Sequence, residues 1–190
     1  MINNEQRKKM DLRILKTKNT LYQTLENLMR NKTFEEIKVS DICSEALINR
    51  STFYSHYNDK YELLAEYINS LKDSLTIELQ KNTSIRNTKE YYLEMIKLLL
   101  NHIEEKKNTY LGIMINNKNS VMMDILYDVI DKTLTEQISE DNHSSKVPTG
   151  VISKFYIGGV LNVCTEWLKN SNKYSKQEIS GLHIYILIHQ

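Results

Sequence analysis

One proline, Pro148, and five glycines are all that punctuate this 190-residue chain. Proline removes a backbone donor and glycine costs the most conformational entropy in a helix, so their scarcity favours long helices over many-stranded sheets. Leu, Lys, Glu, Ile and Asn are abundant, and the expected fold class is all-α. The length suffices for one compact domain or for a small domain fused to a larger one, and two modules are expected.

Apolar spacing outlines the elements. Leu12, Leu15, Tyr22, Leu25, Leu28 and Met29 recur at helical intervals, which predicts a first amphipathic helix from Asp11 to about Asn31. Val39, Ile42, Cys43 and Ala46 support two further turns. After Leu47-Ile48, Asn49 is placed to cap a short helix from Arg50 to Tyr57. Asp59 followed by Glu62 has the form of a capping box opening a helix to about Lys81. The polar stretch 82–88 is the expected linker. Helices are then expected near 88–107, 109–116, 119–139, 148–170 and 175–188.

Several function classes fall away on composition. No apolar run reaches the roughly 20 residues of a membrane span, and the basic, polar start lacks the apolar stretch of a secretory signal, so a soluble, cytoplasmic protein is expected. Cys43 and Cys164 match no metal-ligand spacing and are expected to be reduced thiols, with no metal and no cofactor. No Gly-rich phosphate loop, His-Glu-x-x-His or serine elbow is present, which leaves catalysis without a candidate motif. The net charge of +1 is unevenly spread: residues 1–60 hold eleven Lys and Arg against eight Asp and Glu, with Arg7, Lys8, Lys9, Arg13, Lys16 and Lys18 concentrated at the start. Such a segment suits a polyanion, because neutralising phosphates releases condensed counterions, and it equally describes a solvated helix face.

Two short helices joined by a tight turn and buttressed by a longer preceding helix form a helix-turn-helix, whose second helix enters the major groove of DNA. Residues 38–57 have that layout. With Phe53 and Tyr57 four apart on the inner face, Ser51 and Ser55 point the opposite way and Thr52 and Tyr54 lie on the flanks. Small hydrogen-bonding side chains let the backbone approach base edges, and Arg50 in the first turn has the reach and fork geometry for guanine.

The run Lys38 to Ala46, followed by Ile48-Asn49-Arg50-Ser51-Thr52-Phe53-Tyr54-Ser55-His56-Tyr57 and Lys60-Tyr61-Glu62-Leu63-Leu64, closely resembles the TetR family of transcriptional regulators. The Thr-Phe-Tyr-x-His-aromatic segment with Lys three residues beyond is its most specific part. Sequence resemblance covers about residues 11–70, and the remainder agrees in helix number, length and order. It implies a DNA-binding domain at 1–70 and a helical ligand-binding and dimerisation domain at 71–190. It also implies that Thr52, Tyr54, His56 and Lys60 hold phosphates or line the groove, with Arg50 and Ser51 nearest the bases; Ser55 joins the DNA-binding candidates from its place on the outward face. Ser40 is a weaker phosphate candidate. The partner would be double-stranded DNA bearing a near-palindromic operator. Packing for Tyr54 and simple surface exposure for His56 are the competing readings. Leu47 departs from the pattern: it stands where the family usually has Gly, and a Leu at positive φ costs on the order of 1 kcal/mol unless the turn shifts or packing absorbs it.

Helix 148–170 is apolar around most of its circumference, which implies burial on several sides. With Gly158-Gly159 permitting close approach, Phe155, Gly158, Gly159, Trp167, Leu182 and Ile186 are the expected contacts of a homodimer, an intramolecular core being the alternative. Tyr92, Met95, Leu99, His102, Tyr110, Met114, Met123 and Tyr127 are candidates either for a pocket admitting an apolar effector or for ordinary core. The function these features imply is that of a repressor released by a small molecule. The alternative is an interaction protein or co-activator that keeps the fold and acts through a protein partner.

Overall fold

The computed structural model describes residues 4–81, 88–117, 121–141, 147–170 and 173–179. Among them, eight helices run in the order α1 (Asn4–Met29), α2 (Val39–Glu45), α3 (Arg50–Tyr54), α4 (Lys60–Gln80), α5 (Thr88–Glu105), α6 (Lys107–Asn116), α7 (Val121–Asp141) and α8 (Thr149–Lys169), and no strand is present among the described residues. The all-α reading holds. Beyond Ile179 the expected helix 175–188, with Leu182 and Ile186, lies outside the described residues.

Two apolar clusters organise the packing. In the first, Leu21, Tyr22, Leu25 and Met29 of α1 meet Ile42 and Cys43 of α2, Phe53 of α3, and Leu63, Leu64 and Ile68 of α4. Phe34, Ile37 and Tyr57 fill the connections between these helices. The stripe on α1 works from Leu21 onward, whereas Leu12 and Leu15, expected on the same face, are half exposed. Helix α1 also begins seven residues earlier than expected, at Asn4. In the second cluster, Leu100 and Ile103 of α5 and Met114 of α6 pack against Ile157, Leu161, Cys164, Trp167 and Leu168 of α8. Met123 and Leu126 of α7 touch both.

Helix α6 joins the two clusters through backbone-close contact. A Cβ built on Gly112 would lie 2.8 Å from the Arg30 carbonyl oxygen at the end of α1, so only glycine lets these helices cross here. One turn later, Asn117 is completely buried. Its Oδ1 accepts the Phe34 N–H at 2.7 Å, and its Nδ2 donates to the carbonyls of Ile113 (3.0 Å) and Met29 (3.4 Å). Asn116 adds a bond from Nδ2 to the Arg30 carbonyl at 2.8 Å.

Helix α8 shows why an apolar circumference does not by itself define a subunit contact. Trp167 was expected at the dimer interface, but it is buried in the chain's own second cluster and has no surface left to offer a partner. Gly158 also faces inward, its Cβ position 3.9 Å from the Tyr127 hydroxyl. The outer stripe is different: Val151 is exposed, Phe155 is 67% exposed, and a Cβ at Gly159 would meet nothing within 4 Å.

Candidate nucleic-acid interface

The helix-turn-helix is built from the ends of its helices. At the start of α2 the Lys38 N–H donates to the Asp41 carboxylate (3.1 Å), which satisfies a donor near the helix entrance. The helix closes with the two bonds of a Schellman motif, Ile48 N–H to Cys43 carbonyl (3.0 Å) and Leu47 N–H to Ser44 carbonyl (3.3 Å). Leu47 is thereby placed at the left-handed position of that motif with φ 54°. The side chain is 92% exposed, so its own packing does not absorb the strain.

Asn49 then opens α3 in the extended conformation (φ −75°, ψ 150°), its carbonyl receiving the N–H groups of Thr52 and Phe53 while its side chain makes no capping bond. Regular helix ends at Tyr54, three residues short of expectation, and continues as turns in which His56 and Tyr57 N–H groups both reach the Phe53 carbonyl. Phe53 and Tyr57 are buried on the inner side, with ring centroids 5.8 Å apart. The next helix is capped by Asp59, whose Oδ1 accepts from Tyr61 and Glu62 N–H groups at 2.9 Å each. The Glu62 carboxylate reaches one residue further back than a simple capping box requires, to the N–H (2.7 Å) and Nδ2 (2.9 Å) of Asn58.

Burying Phe53 and Tyr57 turns the opposite face outward. Arg50, Ser51 and Ser55 are exposed, Tyr54 is 56% exposed, and Thr52 and His56 are half-buried, His56 lying beside the Tyr57 ring at 6.3 Å. The Ser55 hydroxyl donates to the Thr52 carbonyl (2.7 Å), leaving its lone pairs as acceptors. Ser40 is half-buried beside Asp41. Arg13 and Lys16 are exposed on α1, while Lys18 is engaged by Glu66 at 2.5 Å and lies over the Tyr57 ring. Burial pushes the Glu66 carboxyl up, but the Lys18 and Tyr57 hydrogen bonds outweigh it and hold the carboxyl below its ordinary value. The side chains of Arg7, Lys8 and Lys9 lie outside the described residues.

Lys60 departs from the expected phosphate role. Its ammonium donates to the carbonyls of Phe34 (2.8 Å), Glu35 (3.0 Å) and Ile37 (2.7 Å), and lies 4.8 Å from the centre of the Phe34 ring. An ammonium has three donors, and all three are used. Burial lowers its pKa, against the raising influence of Glu35 and Asp41. Lys60 ties the turn after α1 to the start of α4, and it does so from inside the head.

The pocket candidates are partly assembled. Leu99, Tyr110, Met114, Met123 and Tyr127 gather at the second cluster, and Met95 is half-buried on α5. The side chain of Tyr92 lies outside the described residues. A surface cleft of about 320 Å³ lies elsewhere, between α1 and α2, lined by Asn27, Leu28, Arg30, Asn31, Lys32 and Glu45. His102 Nε2 is 2.6 Å from the Tyr110 hydroxyl, and burial, helped by Lys106, lowers the His102 pKa. Burial also pushes Tyr110 up to about 12.

Beside this pair is a group that sequence reading missed. Glu26 of α1 is buried and receives the Tyr67 hydroxyl of α4 (2.8 Å) and the Lys106 ammonium (3.0 and 3.1 Å). The three residues lie 41 and 80 positions apart, so no local pattern announces them. Cys43 and Cys164 are both free and buried, and burial raises Cys164 to about 12, which disfavours its thiolate. Among the described residues no helix is long and apolar enough to cross a membrane, and no group of three or more His, Cys, Asp or Glu could hold a metal ion.

A helical head with a helix-turn-helix, joined through α6 to a helical body, is the architecture of a transcriptional regulator of the TetR type. A TetR family model described as the transcriptional regulator C-terminal region matches residues 90–189, and the chain belongs to that family. It is 24% identical over 165 residues to the HTH-type dhaKLM operon transcriptional activator DhaS of Lactococcus lactis, covering 84% of this chain and 83% of that protein. The fold is similar to that of a TetR transcriptional regulator from Streptococcus agalactiae (TM-score 0.64, 20% identity, 93% of this chain and 96% of that one). It is also similar to FadR from Bacillus subtilis in complex with stearoyl-CoA (TM-score 0.58, 15% identity, 88% and 94%).

Proposed function

We propose that this chain is a sequence-specific DNA-binding regulator that acts in the cytoplasm as a homodimer. In this reading residues 1–70 form the DNA-binding unit and 71–190 the ligand-binding and dimerisation unit. The observation that carries it is the polarity of the short helix α3: Phe53 and Tyr57 are buried beneath it, and Arg50, Ser51, Tyr54 and Ser55 stand exposed above. Arg50 and Ser51 read base edges, Thr52, Tyr54 and His56 hold phosphates, and the exposed Arg13 and Lys16 add to the field that attracts DNA. The outer stripe of α8 with Phe155 and Gly159 forms part of the subunit contact, which removes an exposed apolar surface from water.

The regulatory reading is a repressor whose grip on a near-palindromic operator is released by an apolar or amphipathic small molecule. Leu99, Met114, Met123 and Tyr127 supply the soft apolar lining such a molecule would need, and an acyl-CoA complex in a regulator of similar fold supports that chemistry. A second reading, activation through a protein partner, is favoured by the relative DhaS, which is described as an activator.

Arg50→Ala tests the base-reading role. The change is expected to cost roughly 1–3 kcal/mol per half-site on the cognate duplex and to relax preference at one base pair in each, while binding to scrambled duplex changes little. Equal loss on both duplexes, measured by fluorescence anisotropy at one salt concentration, would make Arg50 a phosphate contact. No loss on either would remove it from the interface.

A further inference from the structure

We infer that Leu47 is a specificity-determining residue of the reading head, making an apolar contact with the C5-methyl group of a thymine in the major groove. The inference rests on the DNA-binding reading of α3 and adds to it the one head residue whose conformation and exposure are both costly. Leu47 adopts φ 54° at the left-handed position of the Schellman turn, where glycine is free of the Cβ clash that leucine suffers. Its side chain is also 92% exposed, so neither hydrophobic burial nor packing within the chain offsets that strain. Strain that the fold itself does not reward is a mark of a functional site.

Position identifies what the side chain meets. Leu47 lies in the turn between α2 and α3, three residues before Arg50 opens the recognition helix, and the N-terminal end of that helix carries the base contacts in helix-turn-helix proteins. Its neighbour Ile48 packs against the first core cluster, which anchors the turn and leaves Leu47 projecting from it. The exposed residues near it in sequence, Ser44, Glu45, Asn49, Arg50 and Ser51, are all polar. In the major groove, thymine alone among the four bases presents a methyl group, and apolar side chains read it by contact. A leucine beside an arginine that reads guanine therefore extends the face from hydrogen-bonded to methyl-specific recognition.

The test uses the intact protein and a duplex enriched from a random pool. Each thymine is replaced in turn by deoxyuridine, which removes only the methyl group, and binding is compared between the native chain and Leu47→Gly. One thymine per half-site is expected to matter: its replacement weakens native binding about fourfold per half-site, the factor that burying one such carbon group corresponds to. Leu47→Gly should bind the thymine duplex as weakly as the native chain binds the deoxyuridine duplex, and should be indifferent to the replacement. Because glycine accepts positive φ, the variant should also unfold at a higher temperature, which excludes misfolding as the cause. An enriched site at which no thymine shows this Leu47-dependent effect overturns the inference alone. A pool from which no sequence is enriched overturns the DNA-binding reading and the inference with it.

Discussion

Replacing Lys60 by methionine is expected to destabilise the protein by roughly 3 kcal/mol, since charge-assisted hydrogen bonds contribute about 1.5–3 kcal/mol and orphaned carbonyls add a desolvation cost. Methionine keeps most of the stem, so the loss isolates the ammonium. The carbonyls of Glu35 and Ile37 lose the ammonium, that of Phe34 keeps only the 3.3 Å bond from the Ile37 N–H, and the turn between α1 and α2 loses its tie to α4. The midpoint of urea unfolding should fall with little change in slope. At a temperature where the variant remains folded, the salt dependence of DNA binding should match that of the native chain. A phosphate-binding role would give the reverse outcome: unchanged stability and a salt slope lower by about one for each phosphate that Lys60 had neutralised.

The second large effect is expected at the joint carried by α6. Asn117→Leu is nearly isosteric, yet it leaves the buried Phe34 N–H without its 2.7 Å acceptor and withdraws a donor from the Ile113 and Met29 carbonyls. The Ile113 carbonyl keeps the backbone N–H of residue 117 at 2.9 Å, but leaving the Phe34 N–H unpaired and withdrawing the side-chain donor from Met29 costs on the order of 2–4 kcal/mol in total. Asn117→Asp should lose less, because its carboxylate still accepts from Phe34. Urea unfolding of both variants checks the order, and equal stability of Asn117→Leu and the native chain would show that the joint does not depend on this side chain.

These two residues also mark how far the sequence was legible. Periodicity placed α2, α4 and α8 to within about two residues, because their apolar positions recur at 3–4 intervals and strong caps such as Asp59 bound them. The inward pair Phe53 and Tyr57 was readable for the same reason, and with it the outward identity of Ser51 and Ser55. Lys60 was not, because its acceptors are backbone carbonyls about 25 residues away that carry no sequence signature. The same holds for Glu26, Tyr67 and Lys106, whose meeting depends on the tertiary crossing of α1, α4 and the α5–α6 turn. Trp167 failed differently: a helix apolar on most sides does not say which side faces its own chain and which a partner. For Leu47, the turn was legible but its consequence was not, since only the structure shows both the positive φ and the unpacked side chain.

The central claim, that the outward face of α3 reads DNA in a two-fold pair, is tested most directly by selecting bound duplexes from a random pool at fixed salt, using the native protein and Arg50→Ala. The native chain should enrich a near-palindrome whose half-sites are separated by a whole number of helical turns, about 34–36 Å or a multiple of it. Arg50→Ala should enrich the same spacing with preference relaxed at one base pair per half-site. Recovery of no preferred sequence by the native chain, or of the same sequence with undiminished preference by Arg50→Ala, would contradict the account.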